Sequence, residues 1–416
     1  MPADSSLSTP GRGCGPLLQR QTETRPLRQR LFELLRASGA SSRSDLAREL
    51  AVSPASVTAI TSELIANGLV AEVEGVPRDA SRGRPPVALT VRPDAFVIAG
   101  IKLSDDAHSA VILNFAGEMI AEATTTSAAY RMTIAETLNE TEEVLEAALA
   151  VAGLRRGDLA GVGLGLPGVI DHAAGIALWS PLLTERGVAL GAMLAERLGL
   201  PVAIDNDANL LTLAELWFGA GREMSDFVVV TIENGVGMGM VLQNQLFRGG
   251  HGLGMELGHT KVQRDGALCR CGRRGCLEAY VADYALVREA QTALDWNRDT
   301  AESARHLLDR LFAEAKAGNQ AARSIFRRAG RTLAVGLSNV IQLFDPHLVI
   351  LSGSQMRFDY LYAQDVLSEV ASLTLDTGRP TPRVEINAWG DMVWARGAAA
   401  LALARLTEQL LGENRG

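Results

Sequence analysis

VAIDNDANLLTLAELWFGAG, residues 202–221, reads as a strand, a polar turn and a helix in direct succession. Val202-Ala203-Ile204 is a short apolar run of the kind buried in a sheet, and Asp205-Asn206-Asp207 breaks it with turn-forming side chains. A strand that hands over to a helix through such a turn is the repeating unit of an α/β sheet, and its carboxyl end is where such sheets hold ligands. Asn206 and Asp207 fall at that end. They are therefore candidate ligand contacts, or an Asx turn that caps the helix and does nothing more.

The same alternation runs through residues 92–416. DAFVIAGIKL (94–103), HSAVILNF (108–115) and AGEMIA (116–121) read as a meander of strands, and an acid-faced helix follows around 137–154. LAGVGLGLPGVID (159–171) is a buried strand that runs into a glycine-proline turn. DFVVVTIENGVGMGMVLQNQLF (226–247) is a glycine-rich hairpin, PHLVILSGS (346–354) another strand, and VWARGAAALALARL (393–406) a small-residue helix. No period of 20–50 residues repeats, so the body is expected to be α/β in two lobes, with 92–205 and 387–416 in a smaller lobe and 206–386 in a larger one.

At 416 residues the chain is long enough for two or three domains, and 47% hydrophobic with 21% charged residues suits a globular α/β protein. Eighteen consecutive apolar residues occur nowhere and the amino-terminal stretch has no apolar signal core, so neither a membrane span nor secretion is expected, and the expected compartment is the cytoplasm. Four cysteines, three of them clustered, do not form a disulfide framework. The net charge of −8 hides an asymmetry: residues 1–90 hold 11 Arg and no Lys against 9 Asp and Glu, a net +2 on a body of −10. A basic head on an acidic body is compatible with nucleic-acid binding at the head.

The head carries its own pattern. Residues 1–24, rich in Ser, Gly, Pro and Arg, lack any apolar period and read as a disordered arm. Leu27, Leu31, Leu34 and Leu35 then mark one helix face, ended by Gly39. Ser42 and Asp45 open a second helix with Arg43 in its first turn, and Leu46 and Leu50 form its buried stripe. Ser53 and Pro54 open a third, with Val57, Ile60, Leu64 and Ile65 inward and Ala55, Ser56, Thr58 and Thr61 outward. AEVEG and PVALTV read as two strands around the loop VPRDASRGRPP, whose Arg82 and Arg84 suit a narrow minor groove. Residues 25–91 thus read as a winged helix-turn-helix that contacts DNA through Arg43, Ser53, Ala55, Ser56, Thr58, Thr61, Arg82 and Arg84. A generic three-helix module with a solvated basic loop is the plainer alternative.

ELGHTKVQRDGALCRCGRRGCLEAY, residues 256–280, gathers His259, Cys269, Cys271 and Cys276. One imidazole and three thiols are a tetrahedral Zn2+ set, and four protein ligands leave no open position for a metal-bound water. A redox-active CxC pair or inert buried thiols are the alternatives.

GLGLPGVID, DNDANLLTLAE, the ELGH and CxCGxxGCLE segments and GAAALAL, taken in order, resemble the ROK family of sugar kinases and sugar-responsive repressors. SRSDLA, SPASVT and RGRPPVALTV in the head resemble its repressor branch. The resemblance implies an actin-like, sugar-kinase-like body in which the metal loop is scaffolding and Asn206, Asp207, Glu256, His259 and Glu278 contact sugar hydroxyls. It implies an operator-binding repressor that works as a homodimer or tetramer and answers to a sugar or sugar derivative. A transporter-protein partner in place of the sugar, and an active kinase with an appended DNA-binding head, are the alternatives. In the family's kinases a turn of the form GIDIGGTK holds metal–nucleotide. Here the stretch is Gly100-Ile101-Lys102-Leu103-Ser104-Asp105-Asp106, with a lysine for the acid and two carboxylates facing the phosphate position, so an enzyme is not expected. After WSP the chain reads Leu182-Leu183-Thr184-Glu185-Arg186 where kinases place a sugar-binding asparagine, which leaves the sugar unspecified.

Overall fold

The computed structural model describes residues 13–17, 25–73, 87–129, 131–250, 252, 254–296, 304–353, 356, 358, 364–375, 378, 382–387 and 389–412. The chain divides into two compact units, 1–225 with 241–246 and 390–416, and 226–240 with 247–389.

The head opens the first unit with α1 (Leu27–Ser38), β1 (Ser41–Ser42), α2 (Arg43–Leu50), α3 (Pro54–Ala66), β2 (Val70–Val73) and β3 (Ala88–Val91). The expected caps form. Gly39 ends α1 at φ 79°, the Ser42 hydroxyl accepts from the Asp45 N–H, and the Ser53 hydroxyl accepts from the Ser56 N–H ahead of Pro54. The strands make a small antiparallel sheet in the order β1-β3-β2, in which β1 was not foreseen from sequence.

The first unit continues with β4 (Val97–Lys102), β5 (Ala107–Asn114), β6 (Met119–Thr126), α4 (Ile134–Ala152), β7 (Leu159–Leu166), the hairpin β8 (Val169–Asp171) and β9 (Ile176–Trp179), α5 (Leu190–Leu198), β10 (Val202–Asn206) and α6 (Asp207–Phe218). Its main sheet has the order β10-β7-β4-β5-β6, parallel across β10-β7-β4 and antiparallel across β4-β5-β6. Ile101, Ile112, Leu145, Leu164 and Ile204 are among its buried core residues. Lys102 and Asp205 both pair with Gly165, so β4, β7 and β10 end level with one another at the edge that carries Asn206 and Asp207.

The second unit holds β11 (Phe227–Ile232), most of β12 (Val236–Leu242), the end of β13 (Gln245–Phe247), α7 (Glu278–Val281), α8 (Asp283–Ala293), α9 (Ala304–Lys316), α10 (Gln320–Phe344), β14 (Leu348–Ser352), α11 (Gln364–Leu373) and β15 (Arg383–Asn387). Its sheet order is β13-β12-β11-β14-β15, parallel across β11-β14-β15, so the pattern of the first sheet recurs. Leu286, Leu308, Phe326 and Phe358 form the core among its helices. The last helix, α12 (Val393–Leu411), belongs to the first unit.

Three expectations change. Helix α6, assigned from sequence to the larger lobe, belongs to the first unit, because Ala208–Trp217 are buried and α12 lies directly against it. Gly397 permits that approach: a Cβ there would stand 1.9 Å from the Leu210 carbonyl oxygen. The head is not a separate unit either. The Arg28 guanidinium donates to the carbonyls of Leu411 and Gly412 at 2.9 and 2.6 Å, and Phe32 packs on Phe115 with centroids 5.1 Å apart. Finally, residues 13–17 of the supposed disordered arm are placed: Cys14 is buried, and the Cys14 and Gly15 N–H groups donate to the carbonyls of Arg36 and Trp217. The rest of that arm lies outside the described residues. Among the described residues, no helix is long and apolar enough to cross a membrane.

Candidate functional site

The donor atoms of His259, Cys269, Cys271 and Cys276 all lie within 4.8 Å of one another. Cys269 Sγ stands 3.8 Å from His259 Nδ1, and Cys271 Sγ stands 3.7 Å from Cys276 Sγ. A tetrahedral site with metal–sulfur bonds of ~2.3 Å has sulfur–sulfur edges of about 3.8 Å, so the cluster has the size of a metal cage. All four cysteines of the chain are unpaired, and the donor set therefore fits a soft or borderline ion. Burial pushes the Cys269 thiol up to about 12, and the Cys271 N–H pulls against it. Burial also raises Cys271, but the Arg273 N–H, the neighbouring thiols and Lys261 outweigh it and leave that thiol below its usual value.

Local backbone chemistry builds the cage. Gly272 and Gly275 sit at φ 81° and 76°, a region that a Cβ disfavours. A Cβ on Gly275 would stand 1.7 Å from the Gln263 carbonyl oxygen. Bridges between Leu268 and Arg274 and between Lys261 and Cys276 close the loop. Sequence reading missed Lys261, whose Nζ lies 2.7 Å from Cys276 Sγ, and Tyr284, whose hydroxyl reaches Cys269 Sγ at 3.6 Å. Lys261 brings a cation to the thiol cluster; its signal in the sequence was its place two residues after His259, on the strand-like run that returns to Cys276.

Of the expected sugar-contacting residues, Glu278 adjoins this cage. It starts α7, is buried, and its Oε1 lies 3.4 Å from Cys269 Sγ and 3.3 Å from the Tyr284 hydroxyl. Its other oxygen faces Gly235 of the glycine-rich hairpin, where a Cβ would stand 3.1 Å away. Glu256 precedes a one-turn 3-10 helix, Leu257–His259, and is exposed. These residues belong to the second unit; Asn206 and Asp207 belong to the first. The Asn206 side-chain oxygen accepts from the Asn209 N–H at 2.8 Å, so its helix-capping role is realised. Asp207 is half-buried at the start of α6. Burial raises its carboxyl above the ordinary range, while the Lys102 ammonium pulls it back. Lys102 itself lies over the Trp394 ring, 3.6 Å from the centroid.

The turn after β4, where the kinase resemblance would put phosphate, carries hydrogen bonds of its own. The Ser104 N–H donates to His108 Nδ1 at 3.3 Å, and the Ser104 hydroxyl donates to the Ala107 carbonyl at 2.5 Å. The Asp106 carboxylate accepts from the Ala107 N–H at 2.8 Å. His108, wholly buried, uses its other ring nitrogen on Glu140 of α4 at 2.5 Å.

On the head, Ser53, Ala55 and Thr58 are exposed at the amino end of α3, and Ser56 is half-buried. Thr61 corrects the sequence reading: it is fully buried, donates to the Thr58 carbonyl and accepts from Arg43 Nε at 3.1 Å. It lies four residues after Val57 and three before Leu64, both buried, so it shares their face. Arg43 is correspondingly engaged within the head, with its second contact to Glu72 at 2.7 Å. Arg82 and Arg84 lie outside the described residues.

Known proteins share this architecture. The ROK family profile matches residues 98–405. The xylose repressor of Caldicellulosiruptor bescii is 28% identical over 372 residues, 87% of this chain and 92% of that one. A solved ROK-family transcriptional regulator, a homologue of the Escherichia coli MLC protein, superposes with a TM-score of 0.76 at 26% identity, over 92% of this chain and 96% of its own. The ROK hexokinase of Thermus thermophilus superposes with a TM-score of 0.64 at 27% identity, over 75% of this chain and 99% of its own. The likeness to kinases thus exhausts a whole kinase on three quarters of this chain, whereas the likeness to repressors runs on through the head: the chain belongs to the ROK family and aligns with its sugar-responsive repressor branch.

Proposed function

We propose that this protein is a DNA-binding transcriptional repressor whose grip on its operator is controlled by a sugar or sugar derivative. The observation that carries the reading is the head: three helices and a small sheet, with Ser53, Ala55 and Thr58 exposed at the amino end of α3, joined to a body of sugar-kinase type. Read as a winged helix-turn-helix, the head would present the amino end of α3 to the major groove. A homodimer would present two such heads to half-sites separated by ~34–36 Å, a spacing that modest movement in the body would spoil.

In the body, the family resemblance assigns sugar-hydroxyl contacts to Asn206 and Asp207 in the first unit and to Glu256, His259 and Glu278 in the second, as acceptors and donors. A Zn2+ bound by His259, Cys269, Cys271 and Cys276 would supply structural closure of the loop that holds Glu278. With Nδ1 turned to the cage, His259 keeps Nε2 for a hydroxyl. Phosphoryl transfer is not part of this reading. At the turn where the kinase resemblance puts phosphate, the Ser104 and Ala107 N–H groups donate to His108 and Asp106, and Lys102 stands where that resemblance has a metal-positioning acid.

The reading is tested by incubating the purified full-length protein with fragmented genomic DNA at fixed salt and sequencing what it retains. Enrichment of a few inverted-repeat sites, released by a sugar, supports it; retention with no sequence preference counts against it. The rival of an active sugar kinase is favoured by the body's likeness to the hexokinase and by the retained Asp207. It requires sugar-dependent ADP formation that Asp207→Asn abolishes.

A further inference from the structure

The amino-terminal segment Gly13–Leu17 lies in a seam between the head and helix α6. Its Cys14 N–H donates to the Arg36 carbonyl on α1 at 3.1 Å, its Gly15 N–H donates to the Trp217 carbonyl on α6 at 2.9 Å, and its Leu17 N–H donates to the Arg222 carbonyl at 2.9 Å. Arg222, four residues past α6, returns two bonds, Nε to the Gly15 carbonyl at 3.1 Å and Nη2 to the Ala37 carbonyl near the end of α1 at 2.6 Å. Arg36 lies 4.5 Å over the Trp217 ring and donates to Thr407 of α12 at 2.8 Å. Arg36 and Arg222 are 2% and 9% exposed, and Cys14 between them is 3% exposed. Buried guanidinium groups held by carbonyls at a helix end and by an aromatic face are costly to part, because separation strands the cation.

We propose that Gly13–Leu17 is a coupling strap that ties the far end of α6 to the DNA-reading head, so that a shift of α6 on sugar binding is delivered to α1 and onward to α3. This rests on the repressor reading, in which Asp207 at the near end of α6 touches the sugar. The helix between is a good transmitter, since Ala208–Trp217 are buried along its length. From α1 the path continues through Arg28, which holds the end of α12 and lies 3.9 Å from Glu63 of α3. The strap gives a physical reason for order in a segment whose composition favours none.

Gly13→Val in the full-length protein is the test, because a Cβ at Gly13 would stand 1.7 Å from the Arg36 carbonyl and must expel the strap while the Arg36 and Arg222 side chains remain unsubstituted. Leu17→Pro, which removes the N–H that reaches Arg222, is the milder second variant. Without sugar, hydrogen exchange over residues 27–38 and 214–224 should quicken in both variants; unchanged exchange in both overturns the strap, whatever the protein's function. With D-xylose and D-glucose as probes, sugar should weaken wild-type operator binding by about tenfold or more and that of the variants by less than about threefold, with sugar affinity within about twofold. Variants released from DNA as fully as wild type overturn the coupling. A wild-type protein that binds no DNA sinks the repressor reading instead, and the exchange data then report on the strap alone.

Discussion

Gly275→Ala and Gly272→Ala form a matched pair whose difference follows from the metal loop's geometry. Both glycines have left-handed backbones, at φ 76° and 81°. An L side chain in that region costs about 1–2 kcal/mol, which predicts metal binding roughly tenfold weaker for Gly272→Ala, where a new Cβ meets nothing within 4 Å. At Gly275 the Cβ must also open a contact from 1.7 Å to at least 3.0 Å against the Gln263 carbonyl. That region is held by the Val262 and Gln263 N–H groups on the Gly275 carbonyl and by the Gly275 N–H on Ala267, at 2.9, 3.3 and 2.9 Å. Losing two such bonds adds about 2 kcal/mol, for a total of about 3–4 kcal/mol and a roughly 100- to 1,000-fold loss of affinity. Competition against a chromogenic chelator measures both constants for Zn2+, and thermal unfolding of the loaded and chelator-treated proteins checks that the metal supports the fold. Equal losses for the two variants, or a larger one at Gly272, would refute the steric reasoning. No loss in either would remove the loop from metal binding altogether.

Three further outcomes are expected. Arg43→Ala removes a bond to buried Thr61 and an exposed ion pair with Glu72, so denaturant titration should show about 1 kcal/mol lost with operator affinity changed less than about twofold; a large affinity loss at unchanged stability would mark Arg43 as a DNA contact. Because burial raises Asp207, sugar affinity should fall with decreasing pH sooner than an ordinary carboxylate would dictate, and Lys102→Met, which removes the group opposing that rise, should move the fall to still higher pH; calorimetric titration across pH with an unmoved profile would contradict it. Asp207→Asn should weaken sugar binding by about tenfold or more while sugar-free operator binding stays as in wild type, and equal loss of both would mean a structural role.

Residue types with fixed chemistry were legible in the sequence. Ser53 followed by Pro54 announced α3, Gly39 announced the end of α1, and the cysteines with His259 announced the cage, because caps, left-handed turns and metal donors each admit few side chains. Thr61 was misread because its polarity outweighed its position, although its spacing from Val57 and Leu64 already placed it on the buried face. What local pattern could not reveal depends on partners distant in the chain. Cys14 is buried among Arg36, Arg222 and Arg396, and α6 joins the first unit because of Gly397, nearly two hundred residues later. The reuse of the Ser104 N–H by His108 was equally hidden, since it needs Glu140 of α4 on the other side of the ring.

As proposed, the chain reads DNA and senses sugar without transferring phosphate. That combination is tested most directly in one tube, with metal-loaded protein, a labelled operator fragment, ATP and magnesium, followed by fluorescence anisotropy and ADP release as sugars are added one at a time. One sugar or sugar derivative should lower the anisotropy while no ADP accumulates above the sugar-free rate. Sugar-dependent ADP formation with DNA binding absent or unmoved would contradict it.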